Sequence, residues 1–361
     1  MKSVKITKVA KTIFGVDMKI KHAISSICVA AGLVVTSQVW AIELDVASTF
    51  PKDMLFLGDG PKHFARAVEQ ISDGDIKINI HGAGDLVPAL EVFNAVSTGA
   101  VHAGYDWVGY WGGIIPVTNL VGSLPFGPTP DVLAGWIWEG GGMEIIQKAY
   151  DPHNVKFLPC VNVPGESAGW FNKEIRSVED LKGLKMRIGG LGGRVMNKLG
   201  TSTQMIPGGE VYVSLERGRI DAAEFGIPAI DESIQLQNAA KYFYFPGWHQ
   251  PASINSISFN LQTWNGLSEL QRGQILTACR SSYLWTLTYG IPEQIAALDR
   301  LEKGGTQIRR LPDQVLDALR VATNEVIKEE RKNDPIFDEA YSSLSDYMAD
   351  VNRWEKMQDV K

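Results

Sequence analysis

The chain of 361 residues is short of cysteine, of positive charge and of long apolar runs. Its three cysteines are Cys28, Cys160 and Cys279, and it has no CxxC, no HExxH and no Cys/His cluster at zinc spacing. That excludes the common metal-finger, dithiol redox and zinc-protease motifs. Cys160 and Cys279 could pair in an oxidising compartment, or lie buried as two small apolar side chains. The 35 Lys and Arg residues are outnumbered by 41 Asp and Glu, for a formal charge of −6, a poor balance for binding nucleic acid or anionic lipid. No internal repeat or low-complexity segment is present. The N-terminal apolar run from Ile27 to Val35 falls far short of the roughly 20 residues that a membrane span needs.

That run has another reading. Lys2, Lys5, Lys8, Lys11, Lys19 and Lys21 precede it against the single acid Asp17, and Val39-Trp40-Ala41 follows it. Basic start, apolar core and small residues before a cut predict a Sec-type signal peptide over residues 1–41, and a periplasmic location for the rest. Met18-Lys19-Ile20-Lys21 would itself make a conventional basic start, so translation from Met1 and from Met18 both stay open. Cys28 follows Ile27 rather than a small residue and is not read as a lipidation site. Cleavage takes away six lysines and one aspartate, leaving 320 residues with a charge of −11. That length implies two lobes, each with its own core.

The pattern of the exported part is α/β. Ile42 to Ala47 and Ile76 to Ile80 alternate as strands, and Gly60 to Ile71 carries a helical apolar face. A helix from Leu86 to Thr98 and a strand from Val101 to Tyr105 complete a βαβαβ order, which argues for a parallel sheet with helical crossovers. A second such unit is expected from strands at 155–159, 185–188, 205–206 and 222–225, with helices at 177–182, 193–199 and 211–217. Long helical patterns over 268–288 and 312–331, and a last one through Tyr347 and Trp354, dominate the C-terminal part.

Two motifs suggest enzymes. Gly165-Glu166-Ser167-Ala168-Gly169 satisfies the G-x-S-x-G of a nucleophile elbow, with His81-Gly82-Ala83-Gly84 upstream as an oxyanion loop and Asp221 or Asp231 and His249 downstream. The alternative function is therefore an exported α/β-hydrolase of the esterase type. Against it, Pro164 precedes the motif and Trp170-Phe171-Asn172 follows with strand rather than helix character. Gly189-Gly190-Leu191-Gly192-Gly193-Arg194-Val195 resembles a dinucleotide fingerprint but ends on Val195, where close packing wants Gly or Ala. The glycines are read instead as a turn that lets the backbone approach a ligand.

The most informative stretch is Asp221-Ala222-Ala223-Glu224-Phe225-Gly226-Ile227-Pro228, continued by Tyr242-Phe243-Tyr244-Phe245-Pro246-Gly247-Trp248-His249. It places a carboxylate beside an aromatic wall between Gly/Pro turns, an arrangement suited to holding a cation. With Gly82 to Ala89, Glu91 to Gly99, Gly169 to Ile175 and Leu181 to Gly190, in that order, it resembles the solute-binding proteins of tripartite ATP-independent periplasmic (TRAP) transporters. The branch that binds 2-oxo acids and related monocarboxylates is the most similar.

The resemblance implies a two-lobe periplasmic binding fold with a hinge and long C-terminal helices. Lobe I would comprise 42–163 and 251–292, and lobe II 164–250 and 293–361 with the C-terminal helices. It implies a binding protein rather than an enzyme, which captures a small organic anion (a 2-oxo or 2-hydroxy monocarboxylate) and passes it to TRAP integral-membrane subunits, with a homodimer permitted by the last helices. Arg187 would hold the ligand carboxylate, since a guanidinium offers a rigid fork of donors with a permanent charge. Tyr110, Asn162, Glu166, Phe225, Trp248 and His249 are the other expected ligand contacts, with Tyr105, Asp106, Trp107 and Trp111 near Tyr110. The family's bridging sodium or calcium ion would be held by Glu224, the Phe225 carbonyl and Glu166. Phe225 stands where the family has Trp, and Glu166 where it has Gln. Two glutamates around one ion favour a divalent cation, so calcium fits better than sodium. In the absence of an ion, Glu166 would face a polar or cationic part of a different ligand.

Overall fold

A computed structural model describes residues 41–360, so the signal-peptide reading lies almost wholly outside the described residues. The chain starts with strand β1 (Ile42–Ser48), helix α1 (Asp59–Ile71), β2 (Ile76–His81), α2 (Val92–Thr98) and β3 (Ala103–Trp107). β1 sits between β2 and β3, parallel to both, the expected βαβαβ unit. Val46, Phe64, Val68 and Ile76, the apolar positions of the strand and helix patterns, are buried to the last per cent. The second helix is shorter than its pattern. Pro88 takes an extended conformation (φ −54°, ψ 145°) before a single 3₁₀ turn at Ala89–Glu91, and regular helix begins at Val92. β3 lies two residues later than expected, because the chain needs Gly99 in the left-handed region (φ 75°) and two more residues to turn out of α2.

Three helices follow: α3 (Thr118–Gly122), α4 (Pro130–Glu139) and α5 (Gly142–Tyr150). They lead to β4 (Val155–Lys156) and β5 (Pro159–Val163), which complete the first sheet with a later strand. The chain then crosses to a second sheet. Its elements are β6 (Gly169–Phe171), β7 (Lys185–Arg187), α6 (Gly190–Lys198), β8 (Ser202–Gln204), α7 (Val211–Glu216), β9 (Ala222–Ala223), α8 (Pro228–Ser233), α9 (Leu236–Ala239) and β10 (Tyr242–Phe245). β7 runs parallel to β8 and β9, whereas β6 is antiparallel to its neighbours β9 and β10. The strand expected at Met205-Ile206 falls at Ser202–Gln204, in register with Lys185–Arg187. Met205 and Ile206 instead come forward to Arg187.

β11 (Ser253–Asn260) returns to the first sheet, between β3 and the β4–β5 edge. After α10 (Leu261–Gly266) comes α11 (Glu269–Lys303), opened by a capping box in which Ser268 and Gln271 bond each other's backbone. That reciprocal bond satisfies two amides that a helix start otherwise leaves free. α11 runs 35 residues, straight through Pro292 and well past the expected end near Thr288. Its first half covers β5 and α1, and its second half reaches α8 beside the second sheet. β12 (Gln307–Arg310) closes the second sheet next to β10. α12 (Asp313–Asn333) packs on α6, and α13 (Pro335–Gln358) crosses back onto α4 and α5, where Trp136 Nε1 donates to Ser343 Oγ at 3.0 Å.

Cys160 and Cys279 form a disulfide that ties β5 to α11 across 119 residues. Of the two readings left open by the sequence, pairing is the one realised. The result is two α/β sheets with helices on their faces, joined by connections at 163–169, 245–253 and α11.

Candidate functional site

Parallel strands point their C-terminal ends at the seam between the sheets, the usual place for ligands in open α/β folds. β7 ends there in Arg187, and β9 delivers Glu224 and Phe225 in the two residues past its end. Glu224 N donates to the Arg187 carbonyl at 2.9 Å, so the two residues are locked side by side. From the first sheet come Phe50 after β1, Trp107 at the end of β3, Tyr110 just beyond it, and Asn255 on β11. Glu166 and Gln250 come from the two connections between the sheets. These side chains enclose a cavity of about 20 Å³, room for about one water molecule.

Arg187 is 3 % exposed. Its Nη1 donates to Glu224 Oε2 at 3.0 Å and to the Glu224 carbonyl, Nε reaches the Ile206 carbonyl at 3.4 Å, and the guanidinium lies 5.1 Å from the Phe225 ring centroid. Burial alone would raise the Glu224 carboxyl, but the facing His249 and Arg187 outweigh it and hold the group down at about 2. Glu166 is pushed the other way, well above the ordinary carboxyl range, by burial and by the Glu224 carboxylate beside it. Two buried acids so close cannot both ionise without a further cation. Gln250 Nε2 donates to Glu166 Oε1, whereas Glu166 Oε2 has no hydrogen-bond partner. His249 Nε2 stands 3.3 Å from Glu224 Oε1 and 3.6 Å from Glu166 Oε2.

Close packing sets this trio. A Cβ on Gly247 would sit 2.0 Å from the Glu166 carbonyl oxygen, so only glycine lets the 246–250 corner press against the 164–167 loop. The Glu166 amide donates to the Gln250 carbonyl at 3.2 Å across the same contact. The glycines at 189–193 pack as tightly: Gly189 is extended just before α6, Gly190 to Gly193 form its first turn, and a Cβ on Gly192 would lie 2.9 Å from His249 Cβ.

Of the residues singled out in the sequence, the fold brings Arg187, Tyr110, Glu166, Glu224, Phe225 and His249 together. Burial pushes the Tyr110 hydroxyl up to about 12, against the pull of the Arg187 charge. Two others go elsewhere. Asn162 Oδ1 accepts from Tyr283 Oη at 3.3 Å on the α11 side of β5. Trp248 is buried among Ala168, Phe171, Met186 and Leu319, with its ring 5.9 Å from that of Phe126. Gln250, Asn255 and Phe50 were missed, although Gln250 adjoins the Trp248-His249 corner and Asn255 lies in the polar-rich run Ser253 to Ser258.

Asp231 lies behind the site, with Trp170 Nε1 donating to its Oδ2 at 2.9 Å. Burial raises its carboxyl to about 8. A folded-state value above the unfolded one costs stability as pH rises between the two. Asp231→Asn keeps an acceptor for Trp170 without the charge, so it should raise the melting temperature by a few degrees at pH 8 and clearly less at pH 5. A thermal scan at both values checks this.

The hydrolase reading fails on geometry. Ser167 is fully buried, its Oγ donates to the Gly226 carbonyl at 3.4 Å, and strand β6 follows it where the elbow needs a helix. Asp221 accepts from the Lys185 amide, Asp231 from Trp170, and His249 faces the glutamates. What the residues do fit is a cation next to an anion. Among the described residues, Glu166, Glu224 and His249 are the one group of three whose ligand atoms all lie within 4.8 Å of one another. An orphaned carboxylate oxygen is aimed at that point, and a permanent positive charge stands beside it for the anion.

The comparisons with known proteins agree. Residues 48–333 match the family model described as "Bacterial extracellular solute-binding protein, family 7". A monocarboxylate 2-oxoacid-binding periplasmic protein of Nostoc sp. is 35 % identical over 316 residues, 87 % of this chain and 86 % of that one. A TRAP periplasmic solute-binding protein from Colwellia psychrerythraea, with bound calcium and pyruvate, superposes with a TM-score of 0.84 at 32 % identity, over 88 % of this chain and 97 % of that one. One from Pseudoalteromonas atlantica, with bound sodium and pyruvate, gives the same score, identity and coverage. These proteins are transport receptors, not enzymes. The chain belongs to family 7 of the bacterial extracellular solute-binding proteins, the receptors of TRAP transporters.

Proposed function

We propose that this chain captures a small 2-oxo or 2-hydroxy monocarboxylate in the periplasm and hands it to TRAP integral-membrane subunits. The observation that carries the reading is a fully buried guanidinium, Arg187, set against two buried glutamates that lack enough cationic partners. Arg187 binds the ligand carboxylate. Glu224, Glu166 and the Phe225 carbonyl hold a metal ion that bridges to the ligand, as the calcium and sodium named beside pyruvate in the similar structures suggest. Tyr110 and Gln250 supply further polar contacts.

Charge bookkeeping favours a divalent ion. Arg187 and two ionised glutamates sum to −1. A divalent ion and a monocarboxylate bring the buried set to zero, whereas sodium would leave one charge uncompensated, which buried sites tolerate poorly. Once the ion holds Glu224, the guanidinium is free to turn to the ligand. The present cavity is too small for a 2-oxo acid, so entry requires the two sheets to part about the connections between them, as in hinge closure around a ligand. The test is a thermal-shift screen of 2-oxo, 2-hydroxy, aromatic and sulfonic acids with calcium. Stabilisation that grows with the concentration of 2-oxo or 2-hydroxy acids is expected by mass action, and a screen without such a hit contradicts the reading.

A homodimer is the second part of the proposal. Leu284, Ile291 and Ile295, each more than half exposed, lie along one side of α11 at helical spacing. An apolar row of this kind suits a second copy of the same helix. Light scattering should give twice the chain mass for the wild type and a single mass for Leu284→Glu with Ile291→Glu. An unchanged mass for the variant rules out this face.

A further inference from the structure

His249 is the one buried group beside the glutamates whose placement the carboxylate-and-ion reading does not explain. It is 1 % exposed, and both ring nitrogens lack a hydrogen-bond partner. Its Nε2 comes within 3.6 Å of one carboxylate oxygen and 3.3 Å of the other, close enough to feel both without being aligned as a donor to either. A buried imidazole usually fixes its tautomer by bonding at least one nitrogen. Here packing fixes the ring instead: Gly192 presses on His249 Cβ, and the Trp248 ring lies edge-on 5.6 Å away. Three donors therefore converge from three separate segments, the loop before β6, the end of β9 and the link from β10 to β11.

The donor chemistry discriminates between ions. Sodium and calcium are hard cations that take oxygen ligands, and an imidazole nitrogen gives them little. Zinc, nickel and cobalt bind imidazole nitrogen together with carboxylate oxygen, and two carboxylates neutralise their charge. Three side-chain donors and the Phe225 carbonyl leave the remaining coordination positions to a chelating ligand with a carboxylate and an adjacent oxygen.

We propose that His249 is a third side-chain ligand, and that the Glu166–Glu224–His249 site takes a first-row transition dication such as zinc in preference to calcium or sodium. This rests on the metal-bridged reading above and sharpens it. The test is calorimetric titration of the chelator-stripped exported chain with zinc, calcium and sodium chlorides, without any organic acid. Wild type should bind one zinc at least about 100-fold more tightly than calcium, and His249→Gln should lose zinc affinity by 10-fold or more while calcium stays within a few-fold. Cobalt-loaded wild type should also show a hyperfine-shifted imidazole N–H proton, which decides the matter even if the variant does not fold. Calcium bound as tightly as zinc, or no shifted imidazole proton, overturns the role of His249 and leaves the bridging ion in place. Binding of no cation at all overturns both.

Discussion

Arg187→Met is expected to weaken the binding of every small carboxylate by roughly 30-fold to several thousand-fold, the 2–5 kcal/mol typical of deleting one partner of a desolvated charge pair. Methionine fills much of the same volume and can lie on the Phe225 ring, so the fold should survive. The variant leaves Glu224 buried without its guanidinium, and an unpaired buried charge costs about 3–5 kcal/mol. The metal-free variant should therefore melt well below wild type and recover part of the loss when a divalent ion is added. Arg187→Lys separates charge from geometry. It keeps a positive centre but loses the fork that engages two carboxylate oxygens at once, so its affinity should fall between the two. Calorimetry with pyruvate, alongside melting curves with and without ion, reads all of these effects. An Arg187→Met protein that is folded and binds pyruvate like wild type would remove the guanidinium from the site.

The other large effect belongs to the glutamates. Glu224→Gln removes the ionised ligand that lies between Arg187 and His249. Groups that merely position a ligand are worth 10- to 100-fold in metal affinity, so a direct ligand should cost at least about 100-fold, and the carboxylate that depends on the ion should weaken in step. Glu166→Gln is milder and more diagnostic. It removes one negative charge while keeping an oxygen donor, so the neutral set becomes one arginine, one glutamate, one monovalent cation and one monocarboxylate. Pyruvate binding by that variant should therefore become supported by sodium, and lose its preference for a divalent ion. Titrations in sodium and in choline chloride separate these outcomes.

Much of this arrangement was legible in the sequence, and the part that was not has physical reasons. β1, β2 and α1 follow apolar periodicity that the core enforces, as the complete burial of Val46, Ile76 and Phe64 shows. Boundaries drifted where a tertiary demand outweighed a local pattern. Met205 and Ile206 look like a strand but serve Arg187, and five residues starting at Gly189 look like a loop although packing against His249 and Ile188 holds most of them in helix. Pro292 is a poor helix residue, yet α11 continues through it between β5 and α8.

Among the candidate site residues, the Glu224-Phe225 turn was marked by its own sequence and Arg187 by the family resemblance, although the two lie 37 residues apart and meet only in the fold. Gln250 was missed because nothing marks it except its neighbour His249. Trp248 was expected in the site through the resemblance, and its large ring fills the core beneath instead. The convergence of Glu166 on His249 could not be read from spacing, since it depends on Gly247 allowing two distant loops into contact.

The central claim is that a metal ion and Arg187 together hold a small carboxylate between the two sheets. Calorimetric titration of pyruvate into chelator-stripped wild-type protein, repeated after one equivalent of a divalent ion is restored, tests it most directly. One-to-one binding that is strong with the ion and at least tenfold weaker without it is the predicted result; equal affinity in both, or no binding in either, would contradict it.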